Sequence, residues 1–183
     1  NQQRFSSLQE VEHVLTQDLS ECAGKPVEVT VVPPAQFSAQ SLTELDGICI
    51  DELDIEIDQY QPQPTLLRTN NNDVQETVHS HLLKSNCLIT HQPDWASIQV
   101  TYSGKQINHE SLLRYLVSFR QHNEFHEQCV ERIFNDIKTL CKPDSLTVQA
   151  FYTRRGGLDI NPLRCDRELV KKAVFSTKRL ARQ

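Results

Sequence analysis

The chain has 183 residues and a formal net charge of −5, with 38% hydrophobic and 23% charged residues. This composition supports a folded core and excludes a disordered chain. The negative charge argues against a general nucleic-acid binder, whose affinity rests on neutralising phosphates. No apolar stretch approaches the length that is needed to span a bilayer.

The N-terminal part of the chain predicts one helix and two strands. Apolar residues at helical spacing indicate a helix over 6–22, which Ser6 or Ser7 can cap. Alternation of apolar and polar side chains predicts strands over 26–32 and 48–58. Two prolines and three consecutive asparagines are typical of a linker over 59–73.

The rest of the chain predicts strand, strand, helix, helix and strand, in that order. Strands are expected near 78–83 and 98–102, the second ending in a turn at Gly104. Asn108 can cap the first helix, and alternation over 146–152 predicts the last strand. The second helix has the clearest amphipathic pattern, formed by Val130, Ile133, Phe134, Ile137, Leu140 and Cys141.

Residues 11–29 align without gaps on residues 130–148, and both segments are predicted as helix, turn and strand. We interpret the chain as two copies of a strand–strand–helix–helix–strand–strand unit of the α+β class. The first copy covers 1–60 and is truncated at its N-terminus, and the second covers 61–183. The residues that begin the chain look like the interior of a longer sequence.

Cys87 lies where a predicted strand gives way to a predicted turn at 92–95. A cysteine becomes a nucleophile when its thiolate is stabilised and accessible, and Lys84 and His91 are close in sequence. A buried structural thiol is the alternative. Asp94 could donate a proton, because a carboxyl group in a partly apolar pocket favours its protonated form. An ordinary Pro-Asp turn residue is the alternative there.

Two further segments carry candidate binding residues. His126 and Glu127 open the second helix, where the helix dipole favours a carboxylate. Such a carboxylate could also accept hydrogen bonds from the amidine-like edge of a guanine-type base, with Glu124 and Glu131 as competitors. Glycines and arginines at 154–157 could approach a phosphate, although a basic hairpin turn explains them equally well.

Metal binding is the less favoured interpretation of the histidines. His79 and His81 share one face of a predicted strand and could act with Cys87 and His91 as ligands. The spacing is not that of a compact zinc site, so no metal is expected. The six cysteines have no CxxC spacing, and we interpret them as the reduced thiols of a cytoplasmic protein.

Three strings of the sequence resemble the NADPH-dependent 7-cyano-7-deazaguanine reductases, the nitrile reductases of the queuosine pathway. They are residues 85–95, 119–129 and 152–162. The resemblance extends over the whole chain, is strongest from about 77 to 163, and is closest to the long, two-module form of the family. It implies the tunnelling fold, shared with GTP cyclohydrolase I, in which antiparallel sheet is combined with paired antiparallel helices.

The resemblance also implies roles for particular residues. Cys87 would add to the nitrile carbon of 7-cyano-7-deazaguanine and form a covalent thioimide, and Asp94 would protonate the nitrogen. His126 and Glu127 would hold the deazaguanine, and His126 would assist proton transfer. Two NADPH molecules would then complete the reduction to the aminomethyl product.

The cofactor and partners follow from the same resemblance. Arg155 and Gly156 would contact NADPH, and no metal would be needed. The partners would be the nitrile, NADPH and a second copy of the chain in a homodimer, without nucleic acid or membrane. The Glu-Ser-Lys segment that contacts substrate in this family would stand before Asn1.

Two other functions agree with the sequence. One is a purine- or pterin-binding tunnelling-fold module without redox activity. The other is a metal-dependent enzyme similar to the cyclohydrolase, in which His79, His81 and Cys87 would be the ligands.

Overall fold

The computed structural model describes residues 2–166 and 179–183. The chain divides into two compact units, Asn1–Ser41 and Leu42–Gln183. The division into modules at 1–60 and 61–183 stays a prediction. No helix of the described residues is long and apolar enough to cross a membrane.

The first unit is built on one helix, as predicted. Helix α1, Leu8–Ala23, begins at Ser7, whose side chain accepts a hydrogen bond from the Glu10 N–H. A short 3-10 helix follows at Pro34–Ala39. The strand predicted over 26–32 is wrong: the segment alternates in burial but joins no ladder in the described part of the chain. Side chains of α1 instead accept hydrogen bonds from two backbone N–H groups of this segment, those of Val27 and Val31.

Within its described residues, the second unit contains one five-stranded sheet and two α-helices. The sheet order is β1-β2-β3-β4-β5, with β1 parallel to β2 and all other neighbours antiparallel. The strands are β1 Ile48–Cys49, β2 Thr69–Asn86, β3 Pro93–Ile107, β4 Ser145–Tyr152 and β5 Leu163–Cys165. The helices are α2 His109–Val117 and α3 His126–Leu140, with 3-10 turns at Pro64–Leu66 and Ser118–Gln121.

From β2 to β5 the order is strand, strand, helix, helix, strand, strand. This is the unit that the sequence predicts, and the α+β class is confirmed. The tunnelling fold stays a prediction. Asn108 caps α2 as expected, since its side chain accepts from the Ser111 N–H. The apolar face of α3 packs into the core: Val130, Ile133 and Ile137 are fully buried, whereas Leu140 is exposed.

The predicted linker over 59–73 is wrong in its second half, and so is the predicted turn at Gly104. β2 begins at Thr69 and includes the three asparagines, and β3 continues through Gly104. Cross-strand pairs hold this exposed arm of the hairpin together. Asn70 donates to Gln106 at 3.1 Å, and Lys105 pairs with Asp73 at 2.9 Å.

The strand predicted over 48–58 is wrong beyond Cys49. Residues 51–52 form a turn, and within the described residues 53–58 join no strand ladder, with Ile55 and Ile57 packed on the core. Arg114 holds this segment by donating to the Glu56 carbonyl. Apolar alternation here therefore reflects packing on the core without a neighbouring strand.

Candidate active site

The corner between β2 and β3 places Cys87 beside the start of β3. The Cys87 N–H donates to the Gln92 carbonyl at 2.9 Å, and the His91 N–H donates to the Cys87 carbonyl at 3.0 Å. His91 has a φ of 58°, in the left-handed region. The turn thus closes before Pro93, and Asp94 lies in strand β3. The prediction that Asp94 is a turn residue is wrong.

Cys87 is partly exposed, and its thiol is acidic. Its pKa is lowered to about 6, first by the Thr90 hydroxyl, then by the Thr90 N–H, the Arg155 guanidinium and the Ile89 N–H, all of which donate to the sulfur. The thiolate is therefore the main form at neutral pH. Lys84 does not contribute, because its ammonium group bonds to Asn86 and to the Arg120 carbonyl.

Arg155 connects the thiol to the carboxyl group of Asp94. Its Nη2 donates to the Thr90 hydroxyl at 3.2 Å and to the Gln92 side-chain oxygen at 3.0 Å. Its Nη1 lies 3.1 Å from Asp94 Oδ1. One guanidinium group thus faces both residues that the sequence singles out for chemistry.

Asp94 and His126 form a buried pair. Asp94 is 1% exposed and His126 is 5% exposed, and Asp94 Oδ2 lies 3.1 Å from His126 Nε2. The two atoms lie within ion-pair distance but are not aligned as a hydrogen bond. The His126 ring stacks on Tyr152, with centroids 4.0 Å apart and planes 14° apart. The structure therefore brings together Cys87, Asp94 and His126, which are 39 positions apart at most in the sequence.

Four buried polar atoms cluster at this pair: Ser85 Oγ, Asp94 Oδ2, His126 Nε2 and Tyr152 OH. The Ser85 and Tyr152 hydroxyls interact with each other and with the Cys129 thiol, whereas Asp94 Oδ2 and His126 Nε2 have no aligned hydrogen-bond partner within the described residues. Buried polar groups are nearly always hydrogen-bonded, and leaving one unpaired costs about 1–3 kcal/mol. Their concentration at one place is typical of a site that is completed by a ligand. Sequence reasoning missed Ser85 and Tyr152, although both begin strings that carry the family resemblance.

Cys129 also lies in this buried group, and its environment is opposite to that of Cys87. Burial raises the pKa of the Cys129 thiol to about 12, so it stays protonated. The two thiols therefore differ clearly: Cys87 is acidic and accessible, and Cys129 is a buried core residue.

The structure chooses among the three glutamates that spacing could not separate. Glu124 is held by Arg132 and His122, and Glu131 is held by Arg164. Glu127 is exposed in the first turn of α3, and no hydrogen bond or ion pair within the described residues engages its carboxylate. Glu127 is thus the acid that is free to bind a ligand.

The turn that is expected to contact NADPH is open to solvent. Gly156 and Gly157 have φ values of 57° and 84°, and a side chain at either would meet nothing within 4 Å. The open backbone fits a phosphate-bearing cofactor, whereas the Arg155 charge is already directed at Asp94. Contact of NADPH with Arg155 and Gly156 stays a prediction.

His79 and His81 do not join Cys87. Within the described residues their ligand atoms form a group with Cys49, and Cys87 is not a member of it. The ligand set expected for a cyclohydrolase-like enzyme is therefore not assembled.

The thiol environment leads to a first testable expectation. The rate of Cys87 alkylation by iodoacetamide, followed by peptide mass spectrometry, should rise with pH through a midpoint of about 6. Thr90→Val removes the strongest donor and should move the midpoint toward the ~8.5 of a free thiol. Thr101→Val, at an exposed position of β3, is the matched control and should leave it unchanged. An unshifted midpoint in Thr90→Val would refute this explanation of the acidity.

Comparison with known proteins adds two findings. Residues 93–171 match the model of a family described as "QueF-like protein". This segment contains Asp94, His126, Glu127 and the Arg155-Gly156 turn, and it begins after Cys87. The solved structure of the archaeosine synthase QueF-Like in its apo form is similar with a TM-score of 0.46 and 17% identity. That similarity covers 53% of this chain and 95% of that chain.

Proposed function

We propose a function from one premise: residues 93–171 match the model of the QueF-like family, in agreement with the resemblance of the sequence. The proposal is that the protein reduces the nitrile group of 7-cyano-7-deazaguanine to an aminomethyl group, in the pathway that supplies a modified tRNA base. The observation that carries it is an acidic, accessible thiol joined through Arg155 to the buried Asp94–His126 pair.

The first step is addition of the Cys87 thiolate to the nitrile carbon. A C–S bond forms as one π bond of the nitrile breaks, and the electron pair moves to nitrogen. The nitrogen takes a proton from the Asp94–His126 pair, which gives a neutral thioimide on Cys87. The low pKa of the thiol supports this step, because the nucleophile needs no separate base at neutral pH.

The chain's own residues also serve the steps that follow. NADPH would supply one hydride for each of the two reductions, so two molecules are consumed per product. Cys87 leaves as a thiolate when its bond to carbon breaks. Arg155 stabilises that thiolate by hydrogen bonding, and the Asp94–His126 pair relays the protons that the product nitrogen gains.

Substrate binding uses the polar groups that the fold leaves unpaired. His126 is buried next to Asp94, and Glu127, the next residue in the first turn of α3, is exposed. A carboxylate with no protein partner can accept two hydrogen bonds from the amidine-like edge of the deazaguanine. These contacts would orient the nitrile toward Cys87.

The test is formation of the covalent adduct. The chain is incubated with 7-cyano-7-deazaguanine without NADPH, and peptide mass spectrometry should find one substrate mass per chain on Cys87, with a change in near-ultraviolet absorbance. Cys87→Ala should form none. Cys22→Ala, a change at an exposed thiol outside the site, is the matched control and should react fully.

Each outcome decides one part of the proposal. An adduct that persists in Cys87→Ala, or no adduct at all, would contradict the covalent mechanism. An adduct that forms normally but is never accompanied by NADPH oxidation would retain the Cys87 step and overturn the reduction. A reaction of the same adduct without hydride transfer, such as one that forms an amide, would then be the better explanation.

A further inference from the structure

A second cluster of potential ligands lies on β1 and β2. β1 pairs parallel to β2 with Cys49 opposite His79, and His81 follows two residues later on the same face. One ligand atom from each of the three residues lies within 4.8 Å of the others. His79 is buried, His81 is partly buried and Cys49 is exposed, so the cluster is formed at the edge of the sheet.

The backbone brings Cys49 close because of the glycine before β1. Gly47 has a φ of 98°, and a Cβ there would lie 2.2 Å from the Thr77 carbonyl oxygen. Only glycine permits this approach of the chain to β2. Gly47 therefore sets the register that puts Cys49 beside His79.

Both imidazole rings are oriented through Nδ1. His79 Nδ1 lies 3.2 Å from the Asp46 carbonyl oxygen, which can only accept, so Nδ1 carries the proton and Nε2 keeps its lone pair. His81 Nδ1 lies 2.7 Å from the Ser97 hydroxyl. Histidines that bind metals are held in this way, with one ring nitrogen bonded to an oriented partner and the other directed at the ion.

A negative charge lies next to the cluster. Asp51 Oδ2 accepts from the His81 N–H at 2.9 Å, and its Oδ1 is buried without a hydrogen-bond partner in the described chain. The Asp51 and Glu44 carboxylates favour a cation near His81, whereas the Arg182 guanidinium opposes one, so the affinity must come from the ligand atoms themselves. The two imidazole rings are also in contact, with centroids 5.3 Å apart.

We propose that Cys49, His79 and His81 bind one divalent transition-metal ion, and that Zn²⁺ fits best. One thiolate and two imidazoles are borderline-soft ligands of the kind that zinc selects. Tetrahedral zinc needs its ligand atoms roughly 3.5 Å apart, and the exposed Cys49 on its two-residue strand can close that distance. The fourth position is left to solvent. This site is separate from the Cys87 corner and does not depend on the proposed reduction.

The test uses the metal alone. The full chain is stripped with a chelator, checked for its fold by circular dichroism, and titrated with Zn²⁺ against a chromophoric competitor. One ion should bind per chain. Co²⁺ in its place should give a thiolate-to-metal charge-transfer band and the visible bands of a tetrahedral complex. Cys49→Ser and His79→Gln should remove these signals.

Two variants distinguish this site from other thiols and from weak surface binding. Cys87→Ala should keep full metal binding, because that thiol lies outside the cluster. Ser97→Ala leaves the ligands in place but removes the partner of His81, and it should weaken affinity about 10- to 100-fold. Metal binding that survives Cys49→Ser, or that is lost in Cys87→Ala instead, would overturn the proposal, as would a folded chain that takes up no metal.

Discussion

Asp94→Asn should lower the turnover number by about 100- to 10,000-fold, the usual contribution of a general acid. Asparagine keeps the size of the side chain and can still accept from Arg155, which lies 3.1 Å from Asp94 Oδ1. It has no acidic proton to give to the nitrile nitrogen. Formation of the Cys87 adduct should slow together with turnover, since addition to the nitrile needs the same proton. Steady-state kinetics and the rate of adduct formation measure both effects.

The control for this variant is an aspartate with no place in the site. Asp144 is exposed in the turn before β4, and Asp144→Asn should leave turnover unchanged. Thermal unfolding of Asp94→Asn should remain cooperative, which separates lost chemistry from lost structure. Near-normal turnover in a folded Asp94→Asn chain would remove Asp94 from the mechanism.

Helices α2 and α3 could be predicted because their signals are local. The cap at Asn108 depends on an N–H only three residues away. The apolar face of α3 follows from helical spacing alone, and its central residues are fully buried. Such signals need no knowledge of the remaining fold.

The strand errors come from contacts between distant residues. Asn70 is a poor strand residue by propensity, but Gln106 faces it on β3 and stabilises the pair. The segment 50–58 has the correct alternation but no neighbouring strand among the residues that the structure describes, so Ile55 and Ile57 pack without a ladder. Propensity and alternation are properties of one segment, whereas strand pairing also depends on a second segment that is distant in the sequence.

The candidate site shows the same difference between local signals, which the sequence carries, and contacts between distant residues, which it does not. Sequence strings identify Cys87, Asp94 and His126, but they do not reveal that Arg155 joins the first two. The partnership of Cys49 with His79 depends on strand register across 30 positions, which spacing cannot supply. Likewise, the choice among the glutamates depends on which arginines lie nearby in the fold.

Glu127→Gln should chiefly weaken substrate binding. The change keeps the length of the side chain but removes the charge, and hydrogen bonds to charged groups contribute about 1.5–3 kcal/mol. That energy corresponds to a rise in KM of roughly 10- to 150-fold. Turnover at saturating substrate should change much less, because Glu127 does not touch the reacting carbon or nitrogen in the proposed mechanism. Initial rates over a range of nitrile concentrations separate the two parameters.

Glu131→Gln is the matched control, one helical turn further along α3. Its carboxylate is already engaged by Arg164 and Asn135, and its pKa is lowered mainly by the hydrogen bond from Arg164. The control should therefore leave KM unchanged. If Glu131→Gln raised KM and Glu127→Gln did not, the ligand would bind one helical turn further along the same face of α3, and Glu127 would not be its anchor. A fall in turnover without a change in KM for Glu127→Gln would instead place this carboxylate among the groups that act on the reacting atoms.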